Sequence, residues 1–507
     1  MNYPVWEVTF GSQWVIAFIA VVHVFIAHFA IGGGLFLVAV ETRAHRHDDH
    51  QLLAWLRGHT QFFLLLTVVF GALTGVGIWF TIGLISPEAT SNLIHVFVWA
   101  WAVEWVLFLV EIMAILVYAY TWDTLPKPTH RAVGWVYFAA AWLSLAVING
   151  ILSFMLTPGS WLKTQKIWDG FFNPGYFPSL AIRTLICVIL AGVYALFTSA
   201  FLKDRVLRAE ISRYASYWVW MPAILLGPAV FWYLHTVPQA HRDLLHLNSY
   251  IRGFVLAMVS ASALLVLLAF AVAWLKPTWV TRPLAVLLMV LAFGAFGATE
   301  WIREDLRKPF IISGYCWANQ IPVRQEATIR KAGLLASAIY VTDPAVTPQN
   351  KLHAGKELFR ITCGPCHRPR HGYNALKPKL AGMDQAFVAS LVMKSDMLRG
   401  GMPPFLGAPE EADAVAAYLA KDGLPQAVEP SGESAFRRRC GVCHDVRGTL
   451  RPIAEAFQGQ SPADIAETIA SIDLMSDKMP KWTGTEAERQ AIGTFLSQAC
   501  SAGGKTT

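Results

Sequence analysis

Two short stretches near the C-terminal end carry the most specific chemistry in the chain: Cys363-Gly-Pro-Cys366-His367 and Cys440-Gly-Val-Cys443-His444. Two thiols one helical turn apart can add to the two vinyl groups of a porphyrin, and the imidazole that follows then points at its iron. Cys-x-x-Cys-His is the attachment signature of a covalent haem c. The competing readings are a redox dithiol and a zinc site, and zinc would want a second ligand pair at short spacing that neither stretch has. A sixth ligand is also in place. Met402, in Gly-Met-Pro-Pro, and Met479, in Lys-Met-Pro, stand the same number of residues beyond His367 and His444. His/Met ligation is the low-spin electron-transfer arrangement, and the thioether raises the potential. An isolated Met at helical spacing is usually core filling. Two Met-Pro pairs in register with two haem motifs reverse that judgement, and Met397 and Met475, which no Pro follows, are the weaker candidates.

These motifs sit in an internal repeat. Val388-Ala-Ser-Leu-Val-Met-Lys-Ser-Asp396 parallels Ile469-Ala-Ser-Ile-Asp-Leu-Met-Ser-Asp477, each between a haem motif and a Met-Pro pair. The arrangement resembles two tandem class I cytochrome c domains, placed at 348–425 and 426–500, joined around Pro425–Pro430 and followed by a tail at 501–507. A polar stretch with Pro322, Pro344 and Pro348 precedes them and reads as a linker over 316–347.

The rest of the chain must be of another kind. Of 507 residues, 55% are hydrophobic and only 15% charged, with a mean hydropathy of +0.44. Those values describe an integral membrane protein with a soluble appendage. The net charge of +7 raises a nucleic-acid reading, but the basic residues are scattered over loops, so no nucleic-acid partner is expected. Cys187, Cys316 and Cys500 remain outside the motifs, and an odd remainder argues against a disulfide framework. Eight apolar stretches are long enough to cross a bilayer: 14–40, 62–84, 94–120, 133–156, 180–202, 217–234, 254–275 and 283–299. Met1–Gln13 has neither a basic n-region nor a small-residue cleavage site, so the first span is expected to be retained as an anchor. Arg43, Arg46 and Arg57 in the first loop, Lys127 and Arg131 in the third and Arg205, Arg208 and Arg213 in the fifth set the orientation. By the positive-inside rule the haem motifs then face outward, on the periplasmic side of a bacterial inner membrane.

Ionisable residues inside these spans are costly and therefore candidates for function. They are His23 and His28 in the first span, Glu104 and Glu111 in the third, and Arg183 in the fifth. The stretch Glu300–Phe310, at the seam between the membrane half and the tail, adds Glu304 and Arg307. His45, His47, His50 and His59 read as a solvated loop on the inner side, and His95 as a spare haem ligand.

The combination resembles subunit I of the cytochrome bd oxygen reductases over the membrane half, assigned here as 1–315. The likeness rests on His23 in a first helix ending at Glu41-Thr42, on Gly71-Ala-Leu-Thr-Gly75, on Glu104 and Glu111 followed by Trp122-Asp123, and on Glu304-Asp-Leu-Arg307-Lys-Pro-Phe310. The resemblance implies that His23 and Glu304 are haem ligands, that Arg307 pairs with a propionate, and that Glu104 and Glu111 serve catalysis as proton carriers. The spacing between the two glutamates is one residue shorter than in the family. Arg183 and Phe254 stand where that family has the His and Met of its low-spin haem b. The long quinol-binding loop is also missing, with only 236–251 between the sixth and seventh spans.

The expected fold is therefore all-α: a bundle of about eight transmembrane helices followed by two small cytochrome c domains. The expected cofactors are two covalent haems c and one or two membrane haems b, with haem d possible. The expected function is that of a respiratory, membrane-bound oxidoreductase that receives electrons through its c haems and reduces O2 at a high-spin haem. The alternative is an electron-transfer subunit of a larger respiratory complex, linking periplasmic cytochromes to another membrane subunit or the quinone pool without oxygen chemistry of its own. Membrane lipid, a periplasmic donor cytochrome and a second membrane subunit are the implied partners.

Overall fold

The computed structural model describes residues 5–9, 11–247, 249–425, 431–448 and 450–501. Its contacts divide the chain into two compact units, a membrane unit of residues 15–83 and 90–307 and a tail unit of residues 1–14, 84–89 and 308–507. The expected turn around Pro425–Pro430 and the tail beyond Ser501 lie almost wholly outside the described residues.

Among the described residues eight helices are long and apolar enough to cross a membrane. They are α1 (Ser12–His47), α2 (His50–Ile85), α3 (Val98–Tyr120), α4 (Lys127–Phe154), α5 (Tyr176–Ser199), α6 (Arg205–Thr236), α7 (Tyr250–Trp274) and α8 (Arg282–Leu306). The count agrees with the sequence reading, but the bounds differ where polar residues continue the helix. The helix α2 starts at His50 because Asp49 caps it, its carboxylate accepting from the Leu52 N–H at 2.9 Å. His59 is thus a buried helical residue and not part of a solvated loop, whereas His47 and His50 are exposed. His95 belongs to a separate short helix, Pro87–Val96, and is exposed. The last span runs on through Glu300 and Glu304 to Leu306.

The helices α1, α4, α5 and α8 are the most enclosed, and α6 is the least. Three consecutive glycines let α1 approach its neighbours. A Cβ on Gly32 would stand 1.8 Å from the Cys187 carbonyl of α5, and one on Gly34 would stand 2.3 Å from the Tyr137 ring of α4. Phe25, Phe29, Phe36, Phe63, Tyr137 and Tyr194 fill the core around that crossing. The helix α2 carries a π-helical turn over Leu65–Gly71, a device that opens a helix and displaces its carbonyls.

In the tail unit a short antiparallel pair, β1 (Phe310–Ile312) and β2 (Cys316–Trp317), follows the membrane unit in sequence. The stretch read as a linker supplies Ile321, Ile329, Leu334 and Leu335 to the same apolar core as Leu358, Phe359 and Leu406. That core belongs to the first module, built from α9 (Lys351–Thr362), α10 (Gln385–Met393) and α11 (Pro409–Ala420). The second module repeats it with α12 (Gly432–Arg439), α13 (Pro462–Ala470) and α14 (Glu486–Cys500) around Phe436, Ile465, Ile492 and Leu496. In both modules the first and last helices cross where a glycine lies against a carbonyl. A Cβ on Gly355 would be 2.0 Å from Ala414 O, and one on Gly432 would be 2.2 Å from Ala491 O.

Candidate functional site

The two Cys-x-x-Cys-His stretches fold into the same turn. In the first, Cys366 N–H and His367 N–H donate to Cys363 O at 3.0 and 2.8 Å; in the second, Cys443 N–H and His444 N–H donate to Cys440 O at 3.0 and 2.9 Å. The residue after the first cysteine is glycine each time because the turn closes on the preceding helix. A Cβ on Gly364 would stand 2.6 Å from Arg360 O, and one on Gly441 would stand 2.8 Å from Arg437 Cα. Each imidazole then donates from Nδ1 to a backbone carbonyl at the same register, His367 to Asn374 O at 3.0 Å and His444 to Arg451 O at 2.9 Å. Asn374 and Arg451 both have left-handed backbone, with φ of 55° and 42°. This bond places the proton on Nδ1 and leaves the Nε2 lone pair available to a ligand role.

Among the described residues none of the four cysteines is in a disulfide. Burial pushes the Cys363 thiol up to about 11 and the Cys440 thiol up to about 12, and it holds the His367 imidazole down to about 4. His367 is therefore neutral at pH 7, as a ligand must be. These features fit a covalent haem in each module. Among the described residues no group of three or more His, Cys, Asp or Glu side chains could hold a bare metal ion. Met402 and Met479 are half-buried in irregular segments after the repeated helices, whereas Met475 is 68% exposed. Within the tail unit the first motif also meets the start of the chain. Gln13 donates to Cys366 Sγ at 3.2 Å, Arg368 to Ser12 Oγ at 3.2 Å, and Trp14 stands edge-on to Tyr373.

In the membrane unit His23 donates from Nδ1 to Gly71 O, with Thr74 Oγ1 also at 3.2 Å. Gly71 ends the π-helical turn of α2, and a Cβ on Gly75 would come within 3.0 Å of the His23 ring. The Gly71–Gly75 stretch is thus a cradle for that imidazole. His23 is half-buried and its Nδ1 is held by a carbonyl, the arrangement that leaves Nε2 for a ligand role, which fits a haem ligand. His28 differs: Nδ1 donates to Val24 O at 2.7 Å and Nε2 is sealed against protein. His59 is likewise enclosed, bonded to Thr198 Oγ1 at 2.9 Å and stacked on Trp55.

Glu304 pairs with Arg307, whose guanidinium also lies 3.2 Å from Met155 Sδ. Glu104 and Glu111 both face α4, accepting from Ser144 Oγ at 3.3 Å and Tyr137 OH at 3.4 Å, and they interact electrostatically with each other. Arg303 holds Glu300 with two bonds at 2.7 and 3.0 Å, and Arg183 and His28 both lie within the electrostatic field of Glu300.

One constellation escaped the sequence reading. Glu41 is buried and accepts from Tyr118 OH at 2.8 Å and His130 Nδ1 at 3.0 Å, while His130 Nε2 meets Tyr118 O at 2.8 Å. It lines a cavity of about 300 Å³ together with His45, Arg57 and Asp123. Its members come from three helices, and the only trace in the sequence is a charged residue interrupting the end of an apolar run.

The family model for cytochrome bd terminal oxidase subunit I matches residues 12–237, and that for cytochrome c oxidase, cbb3-type, subunit III matches residues 350–419. Among solved structures, one described as bd oxidase from Geobacillus thermodenitrificans is similar at 17% identity and a TM-score of 0.53. The likeness covers 60% of this chain and 88% of that one. No curated protein matches the chain. The N-terminal part thus has a bd-oxidase-subunit-I-like fold, in a multi-span membrane protein whose C-terminal region is related to cbb3-type subunits. The first family match ends at residue 237, ahead of the Glu304–Phe310 stretch.

Proposed function

We propose that the chain is the haem-bearing subunit of a bd-like terminal oxidoreductase, which takes electrons through two covalent haems c and reduces O2 to water at a high-spin haem in the membrane. One observation carries the reading: the same attachment turn occurs twice, with the same glycine and the same imidazole-to-carbonyl bond, on a chain whose other part has a bd-subunit-I-like fold. When bound, the haems supply one-electron carriage in the tail and an open iron in the membrane. Cys363, Cys366, His367 and Met402 hold one c haem, and Cys440, Cys443, His444 and Met479 hold the other. His23, steadied by Gly71, and Glu304 hold the membrane haem, which is b or d, and Arg307 pairs with its propionate. Glu104 and Glu111 carry protons along α3, and the polar cavity at Glu41 and His130 gives them a way in from the inner side. The tail faces the periplasm, where a soluble cytochrome docks, and a second membrane subunit completes the complex.

Purified enzyme should contain two covalent haems per chain by pyridine haemochrome, and should consume O2 with a reduced soluble cytochrome but not with quinol alone. Quinol-driven turnover of the isolated complex would overturn the reading.

A second reading, an electron-transfer subunit without oxygen chemistry, is favoured by Arg183, a cation within the field of the Glu300–Arg303 pair where the resembled family has a haem-ligating His. Covalent haem without O2 uptake from any donor would select it.

A further inference from the structure

Met402 belongs to the first module, yet the residues just before it are bonded to the haem motif of the second. Arg399 donates its backbone N–H to Val442 O at 2.8 Å. Its guanidinium reaches Gly441 O and His444 O at 3.3 Å and Asp445 Oδ1 at 2.5 Å. Arg451, whose carbonyl holds the His444 imidazole, donates in return to Met397 O at 2.6 Å. Lys394 adds a bond to the Asp477 carbonyl, two residues ahead of Met479.

A second set of contacts flanks the same motif. Arg439, the residue before Cys440, is buried. It meets Glu488 of its own module at 3.2 Å, and Asp384 of the first module at 3.3 Å. It also lies over the Phe387 ring of the first module, 4.7 Å from the centroid. Thr483 donates to the same Asp384 at 2.5 Å. Val442 packs against the apolar core of the first module. An exposed ion pair would weigh little here. A buried arginine shared between modules, with a second arginine bonded to the Gly441, Val442 and His444 carbonyls, is an interface that orders both partners.

We propose that the two modules form one rigid unit, and that Arg399 is a positioning residue locking the Met402 segment of the first module to the Cys440–His444 motif of the second. The inference rests on the reading of both motifs as haem sites. It adds that their separation is fixed by the contacts of Arg399, Arg439 and Arg451 between the modules. Arg399 touches neither porphyrin-bonding sulfur nor ligand atom; it acts by holding Val442 and Asp445 in place.

The test uses the full chain in detergent, with Arg399→Ala combined with Lys394→Ala, and Arg399→Lys as the conservative variant that keeps the charge and loses the fork. Haem content, Soret-detected melting and hydrogen exchange over 440–446 are measured together. The wild type should melt in one haem-detected step. The double variant should keep both covalent haems, split that step by about 5 °C or more, and exchange about tenfold faster over 440–446. Arg399→Lys should move the same way by less. Two haems, one step and unchanged exchange in the double variant would overturn the proposal and leave the function reading intact. Absence of covalent haem from the wild type would overturn the function reading, while the exchange rates would still decide whether the modules are docked.

Discussion

At the scale of single residues the two attachment turns share their cysteines, glycine and histidine and differ only at Pro365 and Val442. Replacing Cys363 and Cys366 by Ala should lower the covalent haem count from two to one per chain, read by haemochrome, and the second module should keep its own haem. Gly364→Ala forces a Cβ to within 2.6 Å of Arg360 O and should cost about 1–3 kcal/mol in the melting of the first module. Met402→Ala should lower the midpoint potential of one c haem in a redox titration, while Met475→Ala, at an exposed site, should leave both unchanged. These features were legible in the sequence because each is local: a thiol, a turn, an imidazole and a Met-Pro pair at repeated spacing. What the sequence could not give is the partner of each imidazole, since Asn374 and Arg451 act through backbone carbonyls that any residue possesses.

At the scale of elements, packing and capping decide which polar residues lie inside. Hydropathy placed eight spans but ended the first and the last too early, because Glu41, Glu300 and Glu304 look like boundaries until their partners are known. His59 was read into a loop for the same reason; Asp49 caps the helix just ahead of it, and the ring then falls among Trp55, Phe29 and Phe36. Glu41→Ala leaves Tyr118 and His130 without their acceptor and should cost about 1–3 kcal/mol of thermal stability in detergent. Docking of the two modules carries a pH signature. Burial alone would raise the Asp384 carboxyl, but bonds from Thr483, the Phe387 N–H and Arg439 outweigh it and hold the group below the usual range. Its contribution is therefore full above the unfolded value of about 4 and is lost as pH falls through the lower folded value. Asp384→Asn should remove that acid-side loss from the melting profile of the tail.

At the scale of the molecule one chain carries a bd-subunit-I-like helix bundle and a pair of similar small helical modules, which we propose hold haem. The sequence conveyed the division because composition changes sharply after Phe310, and it conveyed the duplication because Val388–Asp396 and Ile469–Asp477 are alike. It was silent on how the halves of the tail are joined, since Arg399 and Asp445 are ordinary surface residues until the modules are docked. Between α6 and α7 the described residues form a short helix, Gln239–Leu247. The account stands on a membrane haem held by His23. The ferrous-minus-CO difference spectrum of the purified protein, taken beside that of His23→Ala, tests this most directly. A CO-reactive, non-covalent high-spin haem in the wild type, lost in the variant while both c haems remain, is the predicted result; bands from c haems alone in the wild type would contradict it.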